Sequence, residues 1–585
     1  MVNNIKIVQA LDKLRTNNYY VHNDLFEGLS FETPELRKRK VYLVETLATI
    51  NALVENGTML LYGGHGGGKT TLAKYLGQIF CHFSADKIED CFLRCHPQLT
   101  EEKILGSLDI AQLTGNRKLT DERHIDVHWS KFIESPWKII DELNRLSPYA
   151  QNILLSLLAE GTVKYHNSSL RLPTYSVYAT MNPKDEGNFS LSLPFLDRFA
   201  MALPITMPDY ESLLTIGKRN KRLSNDSLTS YLPGFDLAEC QEEVLKTRVT
   251  DEAEYFIDLI IAEYRLCLRC KKESIDELAL EKLCKDCRLV ETSKVCNKII
   301  NPLSVRVKED LYKYGRAIAW FLGSDHVTSY HIQKIAPFFI WHRSNIKNSF
   351  KEIQFKSQVE KQVISTNQRL DATTYIIEEI AKDFSYLKNV QAKYNRAKRG
   401  DLNEKEFQAL CDEVNNPNQN HLLIQIEMQD TLNNVYNPIY KDLLIINNQI
   451  KEARSVEELQ QISRSISFNY DLPNRQFLIE TIEKKINKLN SETYSPKIYR
   501  LPQEQFYEEI ATRQPDIHKR LKSIFRDNFS PEGMKPYQLF SAAEDGFDLK
   551  LTKSLSDLKF EYRGPQNKSI IEFLERNKIG ESITI

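Results

Sequence analysis

One glycine-rich segment constrains the fold of this 585-residue chain more than any other feature. Residues 63–70 read Gly-Gly-His-Gly-Gly-Gly-Lys-Thr, which matches the pattern G-x-x-x-x-G-K-[ST]. The apolar run MLLY before this segment predicts a strand, and TTLAKYLGQIF after it predicts an amphipathic helix. Glycines let backbone N–H groups curve around a phosphate, and a helix N-terminus adds a favourable dipole. The segment therefore predicts a phosphate-binding loop, with a chance glycine-rich turn as the alternative.

An acidic pair follows further along the chain. The strand-like run Trp-Lys-Ile-Ile ends in Asp141 and Glu142. Asp141 is expected to hold Mg²⁺ together with Thr70, and Glu142 to polarise the attacking water, while Lys69 reaches the β- and γ-phosphates. A strand that ends in a solvated turn is the alternative. The predicted nucleotide-binding residues are Gly63, Gly64, His65, Gly66, Gly67, Gly68, Lys69, Thr70, Thr71 and Asp141.

A third apolar run, Tyr175–Thr180, leads into Met-Asn-Pro. Asn182 in that tripeptide is expected beside the γ-phosphate, where it helps to orient water. Before the run, alternating residues on both sides of His-Asn-Ser-Ser predict a β-hairpin of Val163–Tyr165 and Leu170–Leu172. Because strand patterns alternate with helical patterns here, the predicted fold class is α/β with a parallel sheet.

The composition excludes several classes of protein. Hydrophobic residues make up 41% and charged residues 27%, which permits a sizeable core, and the formal charge of −1 gives no global basic field for nucleic acid. No apolar run of about 18 residues predicts a transmembrane helix. Residues 1–18 lack the apolar stretch and cleavage site of a signal peptide. A soluble, cytoplasmic protein is expected.

Changes in pattern divide the chain into five predicted segments. They are a helical lead-in at residues 1–40, an α/β ATPase-type core at 41–205, a mostly helical lid at 206–345 with an insertion near 265–290, a long helical arm at 346–500, and a small C-terminal domain at 501–585.

The predicted arm at residues 346–500 shows clear helical patterns, and we assign no catalytic role to it. Apolar residues recur at three-, four- and seven-residue spacing, which places each set on one helix face. Ser455 and Glu458 predict a capping box, and Gly400 predicts a helix end, after which Asp401 or Asn403 caps the next helix. The two apolar sets are Ile376, Ile380, Phe384, Leu387 and Tyr394, and Leu478, Ile482, Ile486 and Leu489.

Several of these motifs together resemble those of a known family. IIDELNR at 139–145, the following helix with LLSLLAEGTV, ATMNP at 179–183 and LPFLDRFAM at 193–201 look like the MoxR branch of the AAA+ ATPases. The resemblance covers roughly residues 40–345 and implies an AAA+ core with a helical lid. The phosphate loop differs from the family's usual G-P-P-G-T-G-K-T, but it keeps every position that the mechanism needs.

The resemblance implies a homo-oligomeric ring, commonly a hexamer, with ATP and Mg²⁺ at the subunit interfaces. Arg198 would be the arginine finger that reaches the neighbour's γ-phosphate, and Arg306 the lid's sensor of the same nucleotide. Arg145 is a further candidate at the interface. The alternative for Arg198 is a surface ion pair with Asp197. Family members commonly act with von Willebrand factor A-domain proteins, so a protein substrate or such a partner is expected.

Four of the ten cysteines have the spacing of a metal site. Cys267, Cys270, Cys284 and Cys287 form C-x₂-C-x₁₃-C-x₂-C, in which two pairs of thiolates can surround one tetrahedral ion. A closed four-cysteine site predicts structural Zn²⁺. Buried reduced thiols and redox disulfides are the alternatives.

Three functions remain open from the sequence. The first is a MoxR-like ATPase that remodels or matures a protein partner. The second is a nucleic-acid-dependent motor or restriction-type NTPase, which the cysteine cluster favours slightly and the neutral charge disfavours. The third is a switch whose nucleotide state only controls assembly.

Overall fold

A computed structural model of the chain describes residues 2–17, 24–109, 126–182, 189–208, 210, 225–264, 295–296, 298–348, 350, 367–415, 423–469, 472–492, 497–502, 539–544, 547–553, 557–563 and 583–584. The chain forms two compact units. The first comprises residues 1–389 and 416–427, and the second comprises residues 390–415 and 428–585.

The described helices, in chain order, are α1 (Val2–Asn17), α2 (Leu43–Ala52), α3 (Lys69–Cys81), α4 (Ala85–Glu89), α5 (Glu101–Leu105), α6 (Lys131–Glu134), α7 (Pro148–Glu160), α8 (Leu193–Leu196), α9 (Leu237–Leu245), α10 (Asp251–Glu263), α11 (Val305–Leu322), α12 (Ser329–Ile340), α13 (Gln368–Lys398), α14 (Glu404–Val414), α15 (Leu423–Thr431), α16 (Tyr440–Glu452), α17 (Val456–Phe468) and α18 (Arg475–Glu492). Short 3₁₀ turns lie at Pro34–Leu36, Leu143–Arg145, Asn225–Ser230 and Asn437–Ile439, and a π turn at Leu432–Tyr436.

The described strands, in chain order, are β1 (Gly57–Tyr62), β2 (Phe92–Arg94), β3 (Gly106–Leu108), β4 (Val127–Trp129), β5 (Trp137–Asp141), β6 (Thr162–Tyr165), β7 (Ser168–Arg171), β8 (Ser176–Met181), β9 (Met201–Pro204), β10 (Arg248–Val249), β11 (His326–Val327), β12 (Lys497–Pro502), β13 (Leu539–Glu544), β14 (Phe547–Lys553), β15 (Asp557–Arg563) and β16 (Ile583–Thr584).

A five-stranded parallel sheet lies at the centre of the first unit, with the order β2-β5-β8-β1-β9. Parallel strands end at the same edge of a sheet, where α/β proteins bind their ligands. The carboxyl ends of β1, β5 and β8 therefore bring the phosphate loop, Asp141 and Asn182 to one edge. The prediction of an α/β fold with a parallel sheet is confirmed.

Both faces of this sheet are buried, which explains why its strands read as continuous apolar runs. Side chains alternate between faces along each strand. Met59 and Leu61 of β1 and Tyr178 of β8 belong to one buried cluster, whereas Leu60 and Ala179 belong to the other. The sheet is therefore a rigid support between two packed layers.

The described residues of the segment 206–345, which the sequence predicts as a lid, contain the helices α9 to α12. Strands β10 and β11 form a short parallel pair between these helices. Thr328 and His331 form a capping box at the start of α12, which ends at Ile340. Phe256 of α10 packs edge-on against Phe384 of α13, with 4.9 Å between the ring centroids.

The predicted hairpin is present. Strands β6 and β7 are antiparallel, with Val163 opposite Leu170, and His166 at the turn has φ 49°. A second antiparallel pair, β3 with β4, precedes β5. None of the described helices is long and apolar enough to cross a membrane.

In the second unit, strands β12 to β16 form an antiparallel sheet with the order β13-β14-β15-β12-β16. Among the helices, Ser455 and Glu458 form the predicted capping box of α17. Asn403, one of the two predicted candidates, caps α14, also within a capping box. Gly400 has φ 70°, the left-handed conformation expected after a helix end.

Candidate nucleotide-binding site

The phosphate loop connects β1 to α3 at the carboxyl edge of the sheet. A Cβ atom on Gly63 would lie 2.2 Å from the carbonyl oxygen of Ile205, so the backbone at this position leaves no room for a side chain. Gly66 and Gly68 both have φ 78°, the left-handed region that favours glycine. Gly64 faces open space. The glycines thus allow the tight curve of the loop and leave its outer side accessible.

Lys69, the first residue of α3, folds back over the loop. Its Nζ donates hydrogen bonds to the carbonyl oxygens of Gly63, at 2.9 Å, and Gly64, at 2.6 Å. Burial lowers the pKa of Lys69, although Asp141 and Glu142 act in the opposite direction. These bonds keep a cation inside the loop, where phosphate oxygens would be its stronger acceptors.

Thr70, Asp141 and Thr180 share a hydrogen-bond network beside the loop. The Thr70 hydroxyl donates to Oδ1 of Asp141 at 2.9 Å, and the Thr180 hydroxyl donates to the same oxygen at 2.7 Å. The predicted Mg²⁺ residues are therefore adjacent, although Thr70 and Asp141 lie on different elements. A hydroxyl and a carboxylate are the hard oxygen ligands that Mg²⁺ prefers, so this donor set fits the ion.

Glu142 follows Asp141 in a conformation that is unusual for a glutamate, with φ 57° and ψ 49°. Its backbone N–H donates to the Thr180 hydroxyl at 3.0 Å, and its carboxylate pairs with Arg145 at 3.1 Å. The side chain is half-exposed, so water can reach its carboxylate. Arg145, an interface candidate from the sequence, thus contacts the predicted base within its own chain.

Asn182 lies at the end of β8 and is buried, with 6% of its surface exposed. Its side-chain Nδ2 contacts Nε2 of His65 in the phosphate loop. Its carbonyl oxygen accepts a hydrogen bond of 2.8 Å from the side chain of Asn144. The structure thus brings the predicted sensor against the loop, and His65 takes part in the arrangement.

Arg198 lies just before β9, the edge strand of the sheet. Its backbone carbonyl accepts a 2.9 Å hydrogen bond from the hydroxyl of Thr58, near the amino end of β1. The guanidinium donates to the carbonyl of Pro194 at 2.9 Å. Burial, and to a smaller extent the charge of Arg306, lowers the pKa of Arg198. Arg198 therefore starts from the opposite edge of the sheet to the phosphate loop.

The carboxylate of Asp197, next to Arg198 in the chain, interacts with three residues of the lid. Its carboxylate accepts hydrogen bonds from Ser304 at 2.7 Å and from Arg306 at 2.9 Å, while Arg343 lies 3.6 Å away through Nε. Arg343 also donates to the carboxylate of Asp310 at 2.7 Å. Asp197, which the sequence offers as an ion-pair partner of Arg198, thus pairs with two lid arginines. The predicted sensor Arg306 contacts this carboxylate.

The predicted zinc residues, Cys267, Cys270, Cys284 and Cys287, lie outside the described residues. Within the described ranges, no group of three or more His, Cys, Asp or Glu side chains is arranged to hold a metal ion. The zinc site stays a prediction from cysteine spacing.

Sequence reasoning missed several residues of this arrangement. Thr180 had a usable signal: Ile140 pairs with Ala179 in parallel register, which places Asp141 beside Thr180 once β5 and β8 are recognised as neighbours. Asn144, inside the DELNR motif, had a similar signal. The lid residues around Asp197 had none, because their partners lie more than a hundred residues away.

A comparison with known protein families agrees with this geometry. Residues 58–199 match the family model of the AAA domain, dynein-related subfamily. The uncharacterized protein YeaC of Bacillus subtilis (strain 168) is 31% identical over 126 residues, which are 21% of this chain and 39% of YeaC. The chain thus covers well under half the length of this curated relative.

Among solved structures, a candidate ATPase from Cytophaga hutchinsonii aligns with 65% of this chain and 94% of its own, at 19% identity and a TM-score of 0.43. The matched family model begins inside β1 and ends directly after Arg198. It therefore includes the phosphate loop, the acidic pair and Asn182. Residues 58–199 of this chain thus match the AAA domain of the dynein-related subfamily over the segments that build this site.

Proposed function

We propose that this chain is a Mg²⁺-dependent ATP hydrolase that works as a homo-oligomeric ring and remodels or matures a protein partner, in the manner of the MoxR branch. The observation that carries the proposal is the junction of Thr70 and Asp141 through a 2.9 Å hydrogen bond, with Lys69 in the loop on one side and Glu142 on the other. Ligands for Mg²⁺, a lysine that can bind phosphate and a carboxylate that can act as a base therefore lie close together.

Each side chain then has a defined task. The loop's backbone N–H groups and Lys69 bind the phosphates, and Lys69 exchanges the carbonyls of Gly63 and Gly64 for phosphate oxygens. Thr70 and Asp141 would hold Mg²⁺, which when bound would supply positive charge against the phosphate oxygens. Glu142 accepts a proton from the attacking water. Asn182, oriented by Asn144 and His65, helps to place that water.

The position of Arg198 supports the ring. Its carbonyl is bonded to Thr58, five residues before Gly63, and a strand rises about 3.3 Å per residue, so the two edges of the sheet are separated by roughly 16 Å. An arginine that starts from the far edge is poorly placed for its own phosphate loop. It is better placed for the nucleotide of a neighbouring copy, as an arginine finger requires.

Nucleotide binding by the purified full-length chain tests the proposal first. Lys69→Ala should weaken the binding of a fluorescent ATP analogue by at least ~30-fold, because it removes a charge partner worth about 2 kcal/mol or more. Lys74→Ala is the matched control, because this lysine lies on the same helix but pairs with Glu89 at the surface. Equal binding by all three proteins would contradict the assignment of the loop.

The kind of partner is tested by the response of the ATPase rate. Hydrolysis that is insensitive to double-stranded DNA and RNA, but changes when a protein with a von Willebrand factor A domain is added, supports the remodelling role. Strong stimulation by nucleic acid alone would support the motor alternative.

The zinc site is a separate part of the proposal. We expect one Zn²⁺ per chain in elemental analysis, and its loss in Cys284→Ser, with nucleotide binding retained. Structural zinc in small peptides contributes roughly 10–16 kcal/mol to folding, so the short insertion should become protease-sensitive in this variant. A well-folded, metal-free protein would contradict the site.

A further inference from the structure

The segment Asp197–Ala202, here called the finger segment, is held by side chains along its backbone. It carries Arg198 and leads into the edge strand β9. Four of its carbonyl oxygens accept side-chain hydrogen bonds, one from the neighbouring strand β1 and three from the lid. The donors are Thr58 to Arg198 at 2.9 Å, Trp341 to Ala202 at 2.7 Å, His342 to Phe199 at 2.8 Å and Arg343 to Asp197 at 3.1 Å.

The three lid donors are consecutive residues, Trp341–Arg343, here called the lid tripeptide. They follow directly after Ile340, the last residue of α12. Their acceptors come in the reverse order along the chain, at residues 202, 199 and 197. The lid tripeptide therefore runs antiparallel to the finger segment and bonds to it at three points.

Because the three residues of the lid tripeptide are buried, losing any of these hydrogen bonds would be costly. Trp341, His342 and Arg343 are each exposed by no more than 5%. Burial, helped by the charge of Arg343, holds the pKa of His342 well below its usual range, so its ring is neutral with one N–H to donate. That N–H is at Nε2, because Nε2 bonds to the carbonyl of Phe199. A buried carbonyl that lost its donor would have no water to replace it.

Charge fixes the last residue of the lid tripeptide. Arg343 lies between two carboxylates, those of Asp197 and Asp310. Asp197 also accepts hydrogen bonds from Ser304 and Arg306 at the start of α11. Two lid helices, α11 and α12, thus meet on the residue immediately before Arg198.

The other end of the lid tripeptide lies by the phosphate loop. The indole of Trp341 packs edge-on against the ring of Tyr62, with 5.4 Å between the centroids. Tyr62 is the last residue of β1 and directly precedes Gly63. Arg369 lies over the same indole, 6.0 Å from its centroid. Trp341 therefore contacts the carboxyl edge of the sheet, and Arg343 contacts the finger segment near the amino edge.

We propose that the lid tripeptide is a positioning element for Arg198, which ties the arginine of each chain to that chain's own lid and phosphate loop. This inference rests on the proposed function, in which Arg198 acts on the nucleotide of a neighbouring copy. A shift of the lid would move Trp341–Arg343 with it, because they follow α12 directly. Three hydrogen bonds would transmit that shift to the finger segment, so the position of the lid in one subunit sets the position of the arginine offered to the next.

A mixed-subunit assay separates this role from folding. Arg198→Ala chains keep an intact phosphate loop but lack the arginine, whereas Lys69→Ala chains keep the arginine but do not bind nucleotide. Mixing the two should restore turnover in part. When Lys69→Ala/His342→Leu replaces Lys69→Ala in the mixture, the restored turnover should be roughly 10- to 100-fold lower, because a small misplacement of a catalytic group costs that much in rate. Lys69→Ala/His342→Gln, which keeps a donor near the Nε2 position, should restore turnover to within about threefold of Lys69→Ala.

The outcomes distinguish the inference from the proposed function. If Lys69→Ala chains themselves fail to restore turnover, action between subunits is wrong. If Lys69→Ala restores turnover and Lys69→Ala/His342→Leu restores it equally, the positioning role of His342 is wrong. Circular dichroism and native mass are recorded for each chain, so that a misfolded variant is recognised.

Trp341→Phe serves as the second variant in case His342→Leu does not fold. It removes the indole N–H that bonds to Ala202 but keeps a ring against Tyr62, and the same loss of restoration is expected. In the Arg198→Ala background, Trp341→Phe should cause no further fall in kcat, because a positioning residue has nothing left to position. An additional tenfold loss there would indicate a general structural role and overturn the inference.

Discussion

The phosphate loop and the finger segment belong to the same sheet but are built in opposite ways. The loop side is complete within a short stretch of structure, where Lys69, Thr70 and Asp141 contact one another or the loop itself. The finger segment relies on distant residues as well, because three of its carbonyls accept hydrogen bonds from the lid tripeptide. In the proposed function, binding and hydrolysis therefore rest on separately supported parts, so a variant can damage one and spare the other.

The largest effect should come from Arg198→Ala. An arginine that meets the charge developing on the transferred phosphoryl group contributes ~10³–10⁵ in rate, so kcat should fall by about that factor. Affinity for ATP should remain, because the phosphate loop lies at the other edge of the sheet. Steady-state hydrolysis and equilibrium binding measure the two quantities. A parallel loss of affinity would contradict the separation of the two regions.

Glu142→Gln should have the next largest effect. General-base catalysis contributes roughly 10²–10⁴ in rate, and Gln cannot accept the proton. ATP should still bind, since Lys69, Thr70 and Asp141 are unchanged. Single-turnover hydrolysis measures the loss. Hydrolysis at the wild-type rate would show that another group is the base.

Thr180→Val tests the network that joins β5 to β8. Removing the hydroxyl takes one donor from Asp141 and the acceptor from the backbone N–H of Glu142. Loss of such a supporting bond typically costs 10- to 100-fold in metal affinity or activity, so more Mg²⁺ should be needed for half-maximal rate. Thr180→Ser is the matched control and should retain nearly full activity. If Thr180→Val needs the same Mg²⁺ concentration for half-maximal rate as the wild type, Thr180 does not support the Mg²⁺ site.

Lys138→Met should change stability and leave turnover almost untouched. Lys138 is fully buried, and its Nζ donates to the carbonyls of Phe132, Ile133 and Ser135, each at 2.7 Å. Leaving these buried carbonyls without a donor should lower the free energy of unfolding by roughly 2–4 kcal/mol. Thermal unfolding measures this loss, and kcat should stay within twofold.

The same variant provides a pH test. Burial lowers the pKa of Lys138 to about 7. Between pH 7 and pH 9 the unfolded chain therefore binds more protons at this lysine than the folded chain does. The free energy of unfolding of the wild type, relative to Lys138→Met, should rise by about 2 kcal/mol over that range. If the free energy of unfolding depends on pH identically in the two proteins, Lys138 stays charged while it donates to its three carbonyls.

The sequence was a good guide wherever a signal is local. The glycines before Lys69, the acidic pair after an apolar run, the hairpin of β6 and β7 and the Ser455 capping box all depend on neighbouring residues, and the structure contains each arrangement. The spacing could not choose between Asp401 and Asn403 as a cap. Only the backbone shows that Asn403 accepts the hydrogen bond from the N–H of Glu406.

The arrangement around Arg198 was beyond the reach of pattern reasoning. The motif Leu-Asp-Arg-Phe offers Asp197 only as an ion-pair partner of Arg198. In the structure, Asp197 instead accepts hydrogen bonds from Ser304 and Arg306. Pairings between residues so distant in the chain depend on how the lid packs on the sheet, which no local period encodes. The roles assigned to Arg198 and Arg306 stay predictions.

The backbone of Glu142 has a consequence for the evolution of this chain. A left-handed conformation at a glutamate costs roughly 1–2 kcal/mol, whereas asparagine adopts it more readily. The residue that makes the most stable turn at position 142 is therefore not the residue that the proposed chemistry needs. Selection for thermal stability alone would favour Asn here, at the expense of the proposed base.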